Sequence, residues 1–227
     1  MDNSVTGYIR TESFLERLVR SKLFWSIFVL LAFSYPIYRS VNRTLPAPLP
    51  SYYKVPDFSL KNESNKAFGT ADLKGKFYIA SFAFTTCPTT CPRLMEKLKI
   101  VQKRVKGIGT KIAILTFTVD PEYDTPEVLK KHAHRLKANP YVWSFLTGSE
   151  KDLRALIVDG YKVPMGKREE IKGVVDTSEV TLFDIAHTEK LVLVDDNSNV
   201  RGYYSIDDDG INQLMIDVGL LVNRKYN

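Results

Sequence analysis

The two cysteines of the 227-residue chain, Cys87 and Cys91, are four residues apart. Thiolate sulfur is a soft ligand that selects Cu(I), Zn²⁺ or iron–sulfur clusters, and it is also the form of cysteine that attacks a disulfide. A core of this size does not need a single disulfide to fold, so the pair requires a chemical explanation. We predict that Cys87 and Cys91 form the functional centre of the protein.

The cysteines lie where a predicted strand is followed by a predicted helix. The mostly apolar run 77–84 has the length of a strand buried on both faces, and apolar residues at spacings of four, three and four from Leu94 to Val105 predict a helix. Both sulfurs are therefore expected near the N-terminus of this helix, and a spacing of four places them on one face. The positive end of the helix dipole is expected to favour thiolate over thiol there.

A third metal ligand could come from the three histidines of the chain. His132 and His134 are two residues apart on a predicted helix, so they point to different faces and cannot bind one metal ion together. His187 directly precedes an apolar strand, at the edge where loops meet the sheet, and is either a structural residue or a third ligand. A structural zinc site usually needs four Cys or His ligands, whereas two thiolates and one imidazole suit copper better.

The rest of the soluble part alternates between strand and helix patterns. Further strands are predicted at 112–119, 141–146, 190–194 and 202–206, further helices at 125–137, 149–158 and 211–222, and a long loop at 163–183. This alternation predicts βαβ units, a mainly parallel sheet and helices on both faces. Reactive groups tend to collect at the carboxyl edge of such a sheet, which is where the two cysteines fall.

An uncharged run of 16 residues, Leu23 to Tyr38, precedes the soluble part. It is slightly shorter than the roughly 17–25 residues of a transmembrane helix, but aromatic residues near its ends suit the two bilayer interfaces. Basic residues flank it on both sides, with a modest bias that favours a cytoplasmic N-terminus. A cleaved signal peptide is the alternative; Arg39 and Arg43 stand where its small-residue cleavage site would be expected.

These patterns divide the chain into four segments. We predict a cytoplasmic N-terminal segment at 1–22, a transmembrane anchor at 23–38, a proline-rich linker at 39–51 and a soluble domain at 52–227. The formal net charge is +6, but six basic and three acidic residues flank the anchor, which leaves +3 on the remainder. Such a small excess indicates an ordinary solvated surface and no nucleic-acid partner.

Over about Tyr53 to Val222, the chain resembles the Sco (SenC) family of membrane-anchored copper proteins. Three sets of residues carry the resemblance, in this order: Cys87-Pro-Thr-Thr-Cys91-Pro92, then Thr118-Val-Asp-Pro-Glu122 with Asp124-Thr-Pro126, then His187-Thr188 before a strand that ends at Val194-Asp195. Each motif alone is common in proteins. Their order and separations together are specific to the family.

The resemblance implies a thioredoxin-like α/β fold with an N-terminal single transmembrane helix. It implies that residues 52–227 bind one copper ion, Cu(I) or Cu(II), through Cys87, Cys91 and His187. Asp120 would lie beside these ligands, unless it is only an acid in the turn after a strand. The implied location is a single pass through the bacterial inner membrane, with the soluble domain in the periplasm.

The implied function is that of a metallochaperone. The family supports assembly of the dinuclear copper centre of cytochrome c oxidase, as copper donor, as thiol reductant of the receiving cysteines, or both. The expected partners are the copper-receiving oxidase subunit and other periplasmic copper chaperones or thiol reductants. A thiol–disulfide reductase activity would make the protein an enzyme as well.

Two alternatives stay open. A metal-free thiol–disulfide oxidoreductase of the thioredoxin-like class would use the same thiols, although such proteins usually separate their cysteines by two residues, not three. A structural disulfide is the second alternative. It would contribute little stability, because so short a loop barely constrains the unfolded chain.

Overall fold

The computed structural model describes residues 13–42, 48–88, 90–165 and 190–226. The chain divides into two compact units, Met1–Ala47 and Pro48–Asn227. His187 and nearly all of the predicted loop at 163–183 lie outside the described residues.

The N-terminal unit contains two helices, α1 (Phe14–Arg20) and α2 (Lys22–Val41). Ser13 begins α1 with a reciprocal cap, because its hydroxyl accepts from the amide of Glu16 and the carboxylate of Glu16 accepts from the amide of Ser13. Helix α2 has 20 residues, or about 30 Å at 1.5 Å per residue. Its length and apolar composition are sufficient to cross a bilayer.

The second unit consists of one seven-stranded sheet with helices on both faces. Its elements in chain order are β1 (Ser59–Asn62), β2 (Ala67–Gly69), β3 (Phe77–Ala83), α3 (Thr90–Val105), β4 (Ile112–Thr118), α4 (Pro126–Leu136), β5 (Trp143–Thr147), α5 (Glu150–Arg154), β6 (Lys190–Val194), β7 (Val200–Ser205) and α6 (Asp208–Tyr226). A π-helical turn, Ala155–Gly160, continues α5, and 3-10 turns occupy Thr70–Leu73 and Lys106–Lys111.

The sheet has the strand order β2-β1-β5-β4-β3-β6-β7. Among the described strands, only the β3–β4 and β4–β5 pairs are parallel, and the other four pairs are antiparallel. The expectation of a mainly parallel sheet is therefore wrong outside the three central strands. The short turns within β1–β2 and β6–β7 can join only antiparallel neighbours, whereas a parallel pair needs a long crossover.

The central strand β3 is buried at all seven positions. Its alternate residues contribute to two separate clusters: Phe77 and Ile79 join the side chains of α3, α4 and α6, while Tyr78 and Phe82 join those of α5 and the π-helical turn. A strand covered on both faces needs a continuous apolar sequence, which explains the unbroken pattern of this segment. The prediction of helices on both faces is confirmed.

The parallel pairing of β3 with β4 sets the position of the cysteines. The register aligns Ala83 with Thr118, the last residues of the two strands, and the amide of Val119 donates to the carbonyl of Ala83 at 3.1 Å. The segments that follow both strands therefore leave the sheet side by side. One of them carries Cys87, and the other leads to α4, which Thr125 caps and Pro126 begins, within the helix predicted at 125–137.

Candidate metal centre

Cys87 lies in the loop after β3, and Cys91 lies in the first turn of α3. The amide of Cys87 donates to the carbonyl of Phe84 at 3.4 Å, and the amide of Cys91 donates to Sγ of Cys87 at 3.3 Å. Both are thiols, and their side chains also hydrogen-bond to each other. The start of α3 thus brings two sulfurs into direct contact.

The two thiols are shielded from solvent, with Cys87 6% and Cys91 4% exposed. Burial raises the pKa of Cys91, and the neighbouring Cys87 and Asp124 raise it further, against a backbone hydrogen bond from Phe84 that lowers it. The helix N-terminus was expected to favour a thiolate at this position, whereas burial favours the neutral thiol of Cys91. A bound metal cation would displace the thiol proton of Cys91, and its positive charge would stabilise the thiolate that burial disfavours.

The histidines of α4 do not join the cysteines. The ring of His132 packs edge-on against Phe145, with ring centroids 5.8 Å apart, and burial lowers its pKa. His134 is exposed on the same helix. Among the residues that the structure describes, no group of three or more His, Cys, Asp or Glu side chains is arranged to hold a metal ion. The predicted third ligand, His187, lies outside those residues.

Asp120, the acid predicted beside the ligands, begins the turn after β4 and is half-buried. Its amide donates to the hydroxyl of Thr118 at 3.1 Å, and its carbonyl accepts from the amide of Asp124 at 2.9 Å. These contacts shape the turn that leads to α4. The role of its carboxylate toward a metal stays a prediction.

The carboxylate that contacts the cysteine loop is that of Asp124, which is 0% exposed. It accepts from the amide of Thr85 at 3.1 and 3.3 Å, from the hydroxyl of Thr85, and from the hydroxyl of Thr118 at 2.6 Å. Burial raises its pKa, while the hydroxyl and amide donors of Thr118 and Thr85 lower it. Sequence reasoning missed this role, because it uses Asp124 only as part of the Asp124-Thr-Pro126 motif of the family resemblance. Threonines at the ends of two adjacent parallel strands were the available signal.

A small cleft opens beside this carboxylate, between β3, β4 and the two helices that cover them. It has room for about one water molecule. Its lining includes side chains of Thr85, Met95, Thr118, Asp124 and His132. The cleft therefore lies beside the carboxylate of Asp124 and beside His132 of α4.

Comparison with known proteins identifies relatives that match most of the second unit. A family model described as SCO1/SenC matches residues 47–218. The SCO1 protein homolog of Bacillus subtilis is 33% identical over 134 residues, which are 59% of this chain and 69% of that protein. A protein of Stutzerimonas stutzeri named for copper binding is 26% identical over 156 residues, which are 68% of this chain and 71% of that protein.

A solved structure shows the same fold. BsSco, described as a member of the Sco family of cytochrome c oxidase assembly proteins with a disulfide switch, superposes with a TM-score of 0.64. It is 27% identical, and the match covers 79% of this chain and 99% of that one. The predicted thioredoxin-like α/β fold is confirmed by this likeness.

Proposed function

Because the chain belongs to the SCO1/SenC family, we propose that it binds one copper ion through Cys87 and Cys91 and supports the assembly of cytochrome c oxidase. The observation that carries the proposal is the contact of two thiols at the start of α3. Two adjacent soft sulfur donors fit copper, and the names of relatives refer to copper binding and oxidase assembly. The protein would act as copper donor, as thiol reductant of the receiving cysteines, or as both.

We propose His187 as the third ligand on the basis of the sheet topology. Strand β6 runs antiparallel to β3, with Ala80 opposite Val192, so β6 begins at the edge of the sheet where β3 ends. Two residues lie between His187 and Lys190, the first residue of β6, and the three Cα–Cα steps reach at most about 11 Å. The chain connection therefore supports an approach of residue 187 to the cysteine loop. Asp120, in the turn after the neighbouring strand, is proposed as a polar group near the same site.

The pH dependence of copper affinity tests the thiolate site. The pKa of Cys91 is raised, so its neutral thiol predominates through the physiological range and copper must displace that proton. At pH values below the pKa of Cys91, each unit by which the pH falls lowers the copper affinity by a factor of about 10, because this one proton must be displaced. From pH 6 to pH 8 the dissociation constant for Cu(I) is expected to fall at least about 100-fold, measured by competition with a chelator whose own pH dependence is known.

The sign of this effect is fixed by the ligand chemistry. The proton on the Cys91 thiol competes with copper at low pH, and this competition weakens as the pH rises. A dissociation constant that stays level from pH 6 to pH 8 would show that copper does not displace a thiol proton. Copper would then be bound by other groups, or by cysteines that are already thiolates, against the raised pKa of Cys91.

A metal-free thiol–disulfide oxidoreductase is the second candidate, because the same two thiols are in contact and BsSco is described as having a disulfide switch. In that role the dithiol would pass two electrons and two protons to a partner's disulfide. Cys87 and Cys91 would become a disulfide, and the partner would gain two thiols. Copper affinity separates the candidates, since only the first requires it.

We propose that the domain is tethered to the bacterial inner membrane and lies in the periplasm. Helix α2 spans the predicted anchor at 23–38, which follows the proposed cytoplasmic segment 1–22 and precedes the linker 39–51 and the copper-binding domain 52–227. The copper-receiving subunit of cytochrome c oxidase is the proposed partner, together with other periplasmic copper chaperones or thiol reductants.

Reporter fusions test this topology. A phosphatase that is active only in the periplasm is expected to be active when fused after Asn227 and inactive when fused after Arg20, before α2. The basic flank of α2 is the physical reason, because basic residues favour the cytoplasmic side. Activity from the Arg20 fusion combined with inactivity of the Asn227 fusion would reverse the orientation.

A further inference from the structure

Asp124 is a wholly buried carboxylate whose donors, among the described residues, are two hydroxyls and one amide. Within the described part of the chain it has no ion-pair partner, and its contacts come from Thr85 and Thr118. A buried carboxylate is costly unless hydrogen bonds satisfy it, and hydrogen bonds to a charged acceptor are stronger than those between neutral groups. These donors are therefore firmly held in place.

The same contacts join the cysteine loop to the neighbouring strand. Both the amide and the hydroxyl of Thr85 donate hydrogen bonds to the carboxylate of Asp124. These bonds fix the backbone and the side chain of Thr85 together. Phe84, the preceding residue, accepts the hydrogen bond from the amide of Cys87. Thr118 holds the other side of the carboxylate from the end of β4.

We propose that Asp124 is a positioning residue that fixes the loop bearing Cys87 against α3, so that the two sulfurs are held ready for copper and for disulfide formation. This inference rests on the proposed function and adds to it a residue that touches neither sulfur. Groups that orient metal ligands typically change metal affinity by 10–100-fold when they are removed. This fixed geometry raises the affinity of the two sulfurs for copper, because the cysteine loop loses less conformational freedom when copper binds.

Strand β4 offers a matched control. Thr116 precedes Thr118 by two residues and faces the same side of the strand, with exposures of 4% and 1%. The hydroxyl of Thr116 also lies in a buried network, 2.9 Å from both the Ser81 hydroxyl and the Trp143 indole nitrogen, and neither of these hydrogen bonds involves Asp124. Thr116→Val and Thr118→Val each remove one buried hydroxyl with little change of shape, so the two variants are expected to lose similar stability.

The experiment uses the full chain in detergent and measures two properties of each variant. The first is Cu(I) affinity by chelator competition. Thr118→Val is expected to weaken it about 10–100-fold, whereas Thr116→Val and the hydroxyl-retaining Thr118→Ser change it less than about threefold. The second is the dithiol–disulfide equilibrium in a glutathione buffer. There Thr118→Val is expected to disfavour the disulfide about tenfold, since a loosened loop lowers the effective concentration of one thiol near the other.

A double-mutant cycle ties the effect to Asp124. Asp124→Asn keeps the shape of the side chain but replaces one acceptor with a donor. The double variant Asp124→Asn, Thr118→Val is expected to lose no more Cu(I) affinity than Asp124→Asn alone. Additive losses, or equal losses in Thr118→Val and Thr116→Val, would overturn the positioning role. If the wild-type protein binds no copper, the proposed function fails, and the glutathione equilibrium alone then decides the role of Asp124.

Discussion

Cys87→Ser and Cys91→Ser are each expected to lower the affinity for Cu(I) and for Cu(II) by roughly 100–1,000-fold, because each removes one of the two sulfurs in contact at the start of α3. Four-ligand zinc sites bind with about 10–16 kcal/mol at neutral pH, or about 2.5–4 kcal/mol per ligand. A serine hydroxyl supplies neither the soft donor nor the negative charge of a thiolate. Chelator competition on the purified single variants, one titration for each oxidation state, measures the loss.

His187→Ala is expected to behave differently from the cysteine variants. Cu(I) can remain bound by two thiolates, whereas Cu(II) generally needs more ligands and the harder imidazole nitrogen. Loss of the imidazole should therefore chiefly remove Cu(II) binding and weaken Cu(I) binding less. His134→Ala, on the exposed face of α4, is the matched control and should bind both states normally. If His187→Ala retains Cu(II) like the wild type, the site is a bare dithiol, and the oxidoreductase alternative becomes the stronger account.

Oxidation of Cys87 and Cys91 to a disulfide is expected to abolish copper binding. The two side chains are already in hydrogen-bond contact, so an oxidising compartment can couple them. A disulfide leaves no thiolate to coordinate the metal, so the expected loss is at least as large as that of either serine variant. The measurement is Cu(I) competition under anaerobic conditions on oxidised and reduced protein, with thiols counted before and after.

Reversal provides the control for the oxidation experiment. Reduction of the oxidised sample, followed by removal of the reductant, should restore both thiols and the original copper affinity. Equal affinity of oxidised and reduced protein would contradict a thiolate site. A Cys87→Ser, Cys91→Ser double variant should be insensitive to oxidation, which excludes an effect on other residues.

The elements that carry the site could be predicted from the sequence. The runs that form β3 and β4 are continuous and apolar because both faces of these strands are covered, and α3 has regular apolar spacing. Helix α4 has a Thr-Pro start whose cap is observed. These local signals, together with two cysteines at a strand–helix junction, were sufficient to locate the candidate centre.

The other features depend on tertiary contacts that local patterns do not encode. Strands β1 and β2 are short and partly exposed, so no apolar alternation marks them, and the mixed sheet follows from where they pair. The raised pKa of Cys91 depends on how deeply the loop is buried. Asp124 meets Thr85 across 39 positions of sequence, a contact that exists only once β3 and β4 are paired.

X-ray absorption at the copper edge of the reduced, copper-loaded wild-type protein, with the copper content of the same sample, tests the central claim most directly. We expect one copper ion per chain with two sulfur ligands, because the two thiols in contact are the soft donors that the structure brings together. The double variant Cys87→Ser, Cys91→Ser should retain no stoichiometric copper. A copper ion bound to the wild type with only nitrogen and oxygen ligands, or bound equally well by the double variant, would contradict the assignment of Cys87 and Cys91 as the metal centre.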